Sequence, residues 1–110
     1  MFNEGGSTDI KNCNFLYNNA KIGEGGGVYS KYLLMVSNST FSSNAASSGG
    51  GFYSTSKIKI YSSHFSDNTS SSAGGGGMIY TSSSNTDGEI FNSSFINNTA
   101  PQGGGFYARI

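Results

Sequence analysis

Short stretches of alternating apolar and polar residues recur along the chain at a long, near-regular interval. Four segments have the form Phe-x-x-Asn: Phe15-Leu16-Tyr17-Asn18, Phe41-Ser42-Ser43-Asn44, Phe65-Ser66-Asp67-Asn68 and Phe95-Ile96-Asn97-Asn98. Their phenylalanines are 26, 24 and 30 residues apart. Aligned on Phe, the position five before it reads Ile10, Val36, Ile60, Ile90, and the position seven before reads Thr8, Leu34, Ile58, Gly88. Two before Phe stand Cys13, Ser39, Ser63 and Ser93. After each Phe-x-x-Asn comes a triple glycine with two apolar residues: Gly25-Gly26-Gly27-Val28-Tyr29, Gly49-Gly50-Gly51-Phe52-Tyr53, Gly75-Gly76-Gly77-Met78-Ile79 and Gly103-Gly104-Gly105-Phe106-Tyr107. Period two within each stretch predicts strands. Three short strands per 24 to 30 residues predict one coil of a three-sided parallel β-helix, repeated about four times. A helical repeat fails, because no stretch holds a 3.6 period and Gly, Ser and Asn are poor helix formers.

Stacking coils at about 4.8 Å sets like residues on like. The four phenylalanines then form an internal aromatic stack, and the Asn three positions later forms an amide ladder. Asn also tolerates the left-handed backbone that tight corners need. The Ser and Cys column fits a narrow interior, and glycine allows close packing or positive φ. The seven residues from Tyr29 to Val36 and from Tyr53 to Ile60 become eleven from Ile79 to Ile90. The surplus lies in 81–87, a predicted polar loop. The corner between Asn and glycine also varies: Asn18 to Gly25 and Asn68 to Gly75 are seven apart, the other two intervals five.

This architecture accounts for a composition that otherwise suggests disorder. Apolar residues are 35% of the chain and charged residues 11%, against roughly 45–50% and 25% in ordinary globular domains. A thin solenoid needs few large apolar residues per coil, and the 14% aromatic content is regularly placed. Net charge is zero, with no basic patch for nucleic acid. The longest apolar run, Tyr32 to Val36, is far short of the roughly 18 residues of a membrane span.

The paired motifs resemble the Phe-x-x-Asn and Gly-Gly-Ala-Ile tetrapeptides of the chlamydial polymorphic outer membrane protein repeat, four times over almost the whole length. Gly27, Gly51, Gly77 and Gly105 stand where that tetrapeptide has Ala. The resemblance implies a right-handed parallel β-helix passenger, exposure on the cell surface and a role in adhesion, toward a host-cell protein or glycan.

Candidate chemistry is sparse. His64 precedes Phe65, so alternation points it outward, with no triad partner in order. Cys13 reads as a small buried thiol. Counting back from each Phe, the outward columns at six and eight before it read Asp9 and Ser7, Met35 and Leu33, Lys59 and Lys57, Glu89 and Asp87. Ion pairing between neighbouring rungs explains Lys57, Lys59, Asp87 and Glu89 without catalysis. The glycine runs lack the Lys-Ser or Lys-Thr of a phosphate loop, the spacing of a dinucleotide fingerprint and the Asp of the calcium nonapeptide. No cofactor or metal is expected. Sequons stand at Asn38, Asn68, Asn92 and Asn97.

In the glycine motif, Val28, Phe52, Met78 and Phe106 are expected to face in. Tyr29, Tyr53, Ile79 and Tyr107 would then face out as an aromatic stripe, suited to carbohydrate or protein contact or to cross-strand packing. Leu33 and Met35, outward by count, form a second apolar patch. The chain opens and closes in mid-coil, so residues 1–110 read as one β-helix domain with uncapped ends, a fragment of a longer array or a unit that stacks end to end. The functional expectation is a non-catalytic, adhesin-like surface module. The alternative is a fragment of a pectate-lyase-like, carbohydrate-active β-helix enzyme.

Overall fold

In the computed structural model, residues 1–3, 6–80 and 88–109 are described; the insertion at 81–87 lies outside them. The described residues contain no helix, so none long and apolar enough to cross a membrane. After β1 (Phe2–Asn3), the strands run coil by coil. The first coil holds β2 (Thr8–Lys11), β3 (Asn14–Leu16), β4 (Asn19–Glu24) and β5 (Val28–Ser30). The second holds β6 (Leu34–Ser37), β7 (Thr40–Ser42), β8 (Ala45–Ser48) and β9 (Phe52–Ser54). The third holds β10 (Ile58–Tyr61), β11 (His64–Ser66), β12 (Thr69–Ala73) and β13 (Gly77–Tyr80). The fourth holds β14 (Gly88–Phe91), β15 (Ser94–Ile96) and β16 (Phe106–Arg109). All pairing is parallel, and each strand pairs with its counterpart in the neighbouring coil.

The result is a β-solenoid of about four turns with four faces. Face one is β2, β6, β10 and β14; face two is β3, β7, β11 and β15; face three is β4, β8 and β12; face four is β1, β5, β9, β13 and β16. Face three is the strand that the hydrophobic pattern did not predict. Its inward positions are Ala20, Ala46 and Ser70, too small to signal burial, and in the fourth coil it shrinks to isolated bridges at Thr99 and Gln102. The length variation after the Asn corner is absorbed here as bulges between Ala20 and Glu24 and between Ser70 and Ala73. Ile22, on the larger bulge, is almost wholly exposed.

The predicted interior columns form. Phe15, Phe41, Phe65 and Phe95 stack with centroids 4.6, 4.7 and 4.6 Å apart and interplanar angles of 13° or less. The Asn ladder is complete: Asn44 Nδ2 donates to Asn68 Oδ1 at 3.0 Å and to the Phe15 carbonyl at 2.8 Å. Asn44 Oδ1 in turn accepts from the backbone and side-chain N–H groups of Asn18. A second ladder runs through the Ser column. Ser63 Oγ donates to the Tyr61 carbonyl at 2.9 Å and accepts from the Ser39 backbone N–H at 3.1 Å. Asn44 and Asn68 are wholly buried with these bonds made, so no desolvation penalty goes uncompensated.

One expectation about corners changes. The ladder Asn is not the left-handed residue: the positive φ belongs to the residue before it, Tyr17, Ser43, Asp67 and Asn97, at 55–57°. The corner before the Ser column likewise uses Asn12, Asn38, Ser62 and Asn92. Only the third corner demands glycine. At Gly25, Gly49, Gly74 and Gly103, φ is 59–71°, and at Gly49 an added Cβ would lie 2.2 Å from the Phe52 carbonyl oxygen.

That corner also resets the third glycine motif. Its corner glycine is Gly74, so the triplet equivalent to Gly49–Gly51 is Gly74–Gly76, and Gly77 pairs with Phe52 on one side and Phe106 on the other. Glycine therefore occupies an inward position that Val28, Phe52 and Phe106 fill elsewhere. The Phe52 ring leans over it, bringing its centroid within 6.1 Å of Phe106, two coils away.

Candidate contact surface

The register at Gly77 redraws the aromatic stripe. Met78 pairs with Tyr53 and Tyr107 and faces outward; Ile79 pairs with Ser54 and Ala108 and turns into the core, 5% exposed. The outward column on face four is thus Tyr29, Tyr53, Met78 and Tyr107, with Ile79 and Met78 exchanging their predicted sides. The slip has a sequence cause: four glycines, 74–77, allow two alignments, and the corner requires the earlier one.

This column is packed rather than open. Tyr29 and Tyr53 stack at 5.3 Å and 12°, so each covers a face of the other. Tyr53 is buried with Met78 against Ala73, beside the half-buried Tyr29 and Tyr107. Burial raises the Tyr53 phenol above its usual range, and the Glu24 carboxylate and the Tyr29 and Tyr80 phenols raise it further. The stripe is a small second core lying over the glycine corner. Leu33 is half-buried, its carbonyl accepting from Thr8 N–H at 2.8 Å.

Met35 points to a more open surface. On the outer side of face one, two columns run along the solenoid: Asp9, Met35, Lys59 and Glu89, and beside it Lys11, Ser37, Tyr61 and Phe91. Ser37 stands between two long side chains, which leaves an open depression of about 220 Å3 lined by Asp9, Lys11, Met35, Val36, Ser37 and Tyr61. Asp9 and Lys11 form an exposed ion pair at 3.5 Å. Lys59 is in register with Glu89, as expected, but the Glu89 carboxylate accepts a hydrogen bond from the Tyr61 hydroxyl. That bond, then burial and the Glu89 charge, raises the Tyr61 phenol above its usual range. Asp87, the other expected partner of the lysines, lies outside the described residues. Phe91, next to Tyr61 on the following coil, is 69% exposed. Alternation extended one position nearer Phe would have found Tyr61 and Phe91, four before it and outward.

The remaining singled-out residues take structural places. His64 is exposed, its Nδ1 2.6 Å from Ser94 Oγ on the next rung. Cys13 is half-buried and its thiol donates to the Lys11 carbonyl at 3.1 Å, reproducing the serine geometry. Among the described residues, no three His, Cys, Asp or Glu side chains converge on one point. The sequons separate: Asn38, Asn92 and Asn97 are exposed at corners, whereas Asn68 is wholly buried in the ladder, where a glycan has no room.

Residues 92–109 match the family model of the Chlamydia polymorphic membrane protein repeat. They run from the first corner of the fourth coil to the end of β16 and contain Phe95, Asn98 and Gly103–Gly105. The match and the four-turn solenoid both fit the repeat type that the paired motifs resemble. Comparison with curated proteins and with solved structures returns no match.

Proposed function

We propose that this chain is a non-catalytic segment of a surface-exposed β-helix passenger and makes adhesive contacts through the outer side of face one. The observation that carries the reading is a contrast between columns. Inward positions repeat from coil to coil: four phenylalanines, four ladder asparagines, three serines and a cysteine. The outer columns of face one change at every coil, from Asp9 to Met35 to Lys59 to Glu89 and from Lys11 to Ser37 to Tyr61 to Phe91. Interior repetition supplies rigidity, and a surface free of that constraint supplies chemically varied contact. The polymorphic membrane protein repeat match over 92–109 supports an outer-membrane or surface setting.

The test is binding of the labelled chain to intact host cells. Saturable binding that falls when Tyr61 and Phe91 are both changed to Ala supports the reading. Binding indifferent to that change overturns the assignment of the surface. Release of reducing or unsaturated sugar from polysaccharides by the chain overturns its non-catalytic character.

A further inference from the structure

Resting on that contact reading, we propose that the depression around Ser37 on the outer side of face one is a saccharide subsite holding one pyranose ring. Its walls supply the two kinds of interaction a sugar ring needs. A pyranose has an apolar face of C–H groups and a rim of hydroxyls. The Tyr61 ring and the Met35 thioether offer apolar surface. The Asp9 carboxylate accepts from hydroxyls and the Lys11 ammonium donates to them. These two groups already stand 3.5 Å apart, so adjacent hydroxyls reach both at once. Ser37 makes the space, because its register partners Lys11 and Tyr61 are both long.

Size and preorganisation agree. About 220 Å3 is below the roughly 300–1,000 Å3 of pockets for drug-sized ligands and suits a single ring. Tyr61 donates its hydroxyl hydrogen bond to Glu89 at its far end, and the residue lines the depression. Phe91 continues the apolar surface one coil on, about 4.8 Å along the axis. A linear saccharide running along the solenoid would therefore meet the depression, then Tyr61, then Phe91. A flat aromatic peptide side chain would use Tyr61 and Met35 alone, whereas ring hydroxyls can also bond the exposed Asp9 and Lys11, which favours a polyhydroxylated ligand.

The experiment is a binding titration of the whole 110-residue chain against neutral gluco-, manno- and galacto-oligosaccharides, with a tyrosine-rich peptide beside them, read by chemical shifts of the Met35 methyl and Tyr61 ring. Ser37→Tyr fills the depression from an outward position, and Tyr61→Ala removes its wall. Ile22→Ala, on the distant bulge, is the control, and circular dichroism checks that each variant folds. We expect one saccharide class to shift both signals, with affinity falling tenfold or more in Ser37→Tyr and Tyr61→Ala and unchanged in Ile22→Ala. Equal affinity in all variants, a response to the peptide alone, or no response to any saccharide overturns the subsite. Cell binding that survives Ser37→Tyr while saccharide binding is absent overturns the subsite and leaves the contact reading standing. Absence of cell binding by the unaltered chain overturns the contact reading itself.

Discussion

The Phe52 ring occupies the space above Gly77 where a side chain on that residue would sit: a Cβ there would lie 2.0 Å from Phe52 Cε1. Phe52 and Gly77 are register partners, so a large residue on one coil substitutes for an absent one on the next. Gly77→Ala should therefore destabilise the fold by about 1–3 kcal/mol through overpacking. Phe52→Leu in the same chain should restore part of that loss. Urea unfolding of the two single variants and the double variant measures the coupling; purely additive effects would separate the two residues.

The Asn ladder predicts a gradient from the end to the middle. Asn44 is wholly buried, and its amide bonds reach both neighbouring coils. Asn18 is exposed and bonds through its amide to one neighbour, Asn44. Asn44→Ala strands buried donors and acceptors, at about 1–3 kcal/mol. Asn18→Ala should cost less. Equal shifts in the urea midpoint would argue against the ladder as a source of stability.

Corners should differ in tolerance. Gly49→Ala places a Cβ 2.2 Å from the Phe52 carbonyl oxygen at a φ of 65°. It should cost more than the roughly 0.4–1 kcal/mol by which Gly-to-Ala changes stabilise at unstrained sites. Ser43→Gly, at a φ of 57°, relieves a left-handed non-glycine residue and should be close to neutral. Thermal denaturation of the pair distinguishes a steric corner from a merely left-handed one.

Tyr53 sets an alkaline limit. Its phenol is held protonated in the fold by burial first and by Glu24 next. Below about 10, the usual tyrosine value, folded and unfolded chains both carry the proton, and this group adds no pH dependence. Above it the unfolded chain loses the proton first, so stability falls as pH rises through the raised folded value. Unfolding midpoints measured from neutral to strongly alkaline pH should show that fall, and Tyr53→Phe should reduce its slope.

The columns most legible in the sequence are those where chemistry repeats. Phe15, Phe41, Phe65 and Phe95, with Asn18, Asn44, Asn68 and Asn98, give the coil, its stacking and its register without coordinates. Face three escapes the pattern because Ala46 and Ser70 carry no hydrophobic signal, although their backbones are in register. Alternation alone puts Ile79 outward because the choice between Gly74–Gly76 and Gly75–Gly77 depends on which glycine meets a carbonyl three residues on, a steric fact invisible in a run of four. The outer side of face one is half legible. Met35 emerged from alternation, but the depression exists only because Ser37 lies between Lys11 and Tyr61, a relation across coils.

The two ladders have a consequence for length. Every rung presents the same Asn and Ser, or Cys, to the rung behind and the rung ahead, so a coil removed or duplicated whole leaves the bonding pattern of both ladders unchanged. The molecule is a ruler graduated in steps of about 4.8 Å. Its reach can change by whole turns without breaking either ladder, while the face it displays differs from one rung to the next.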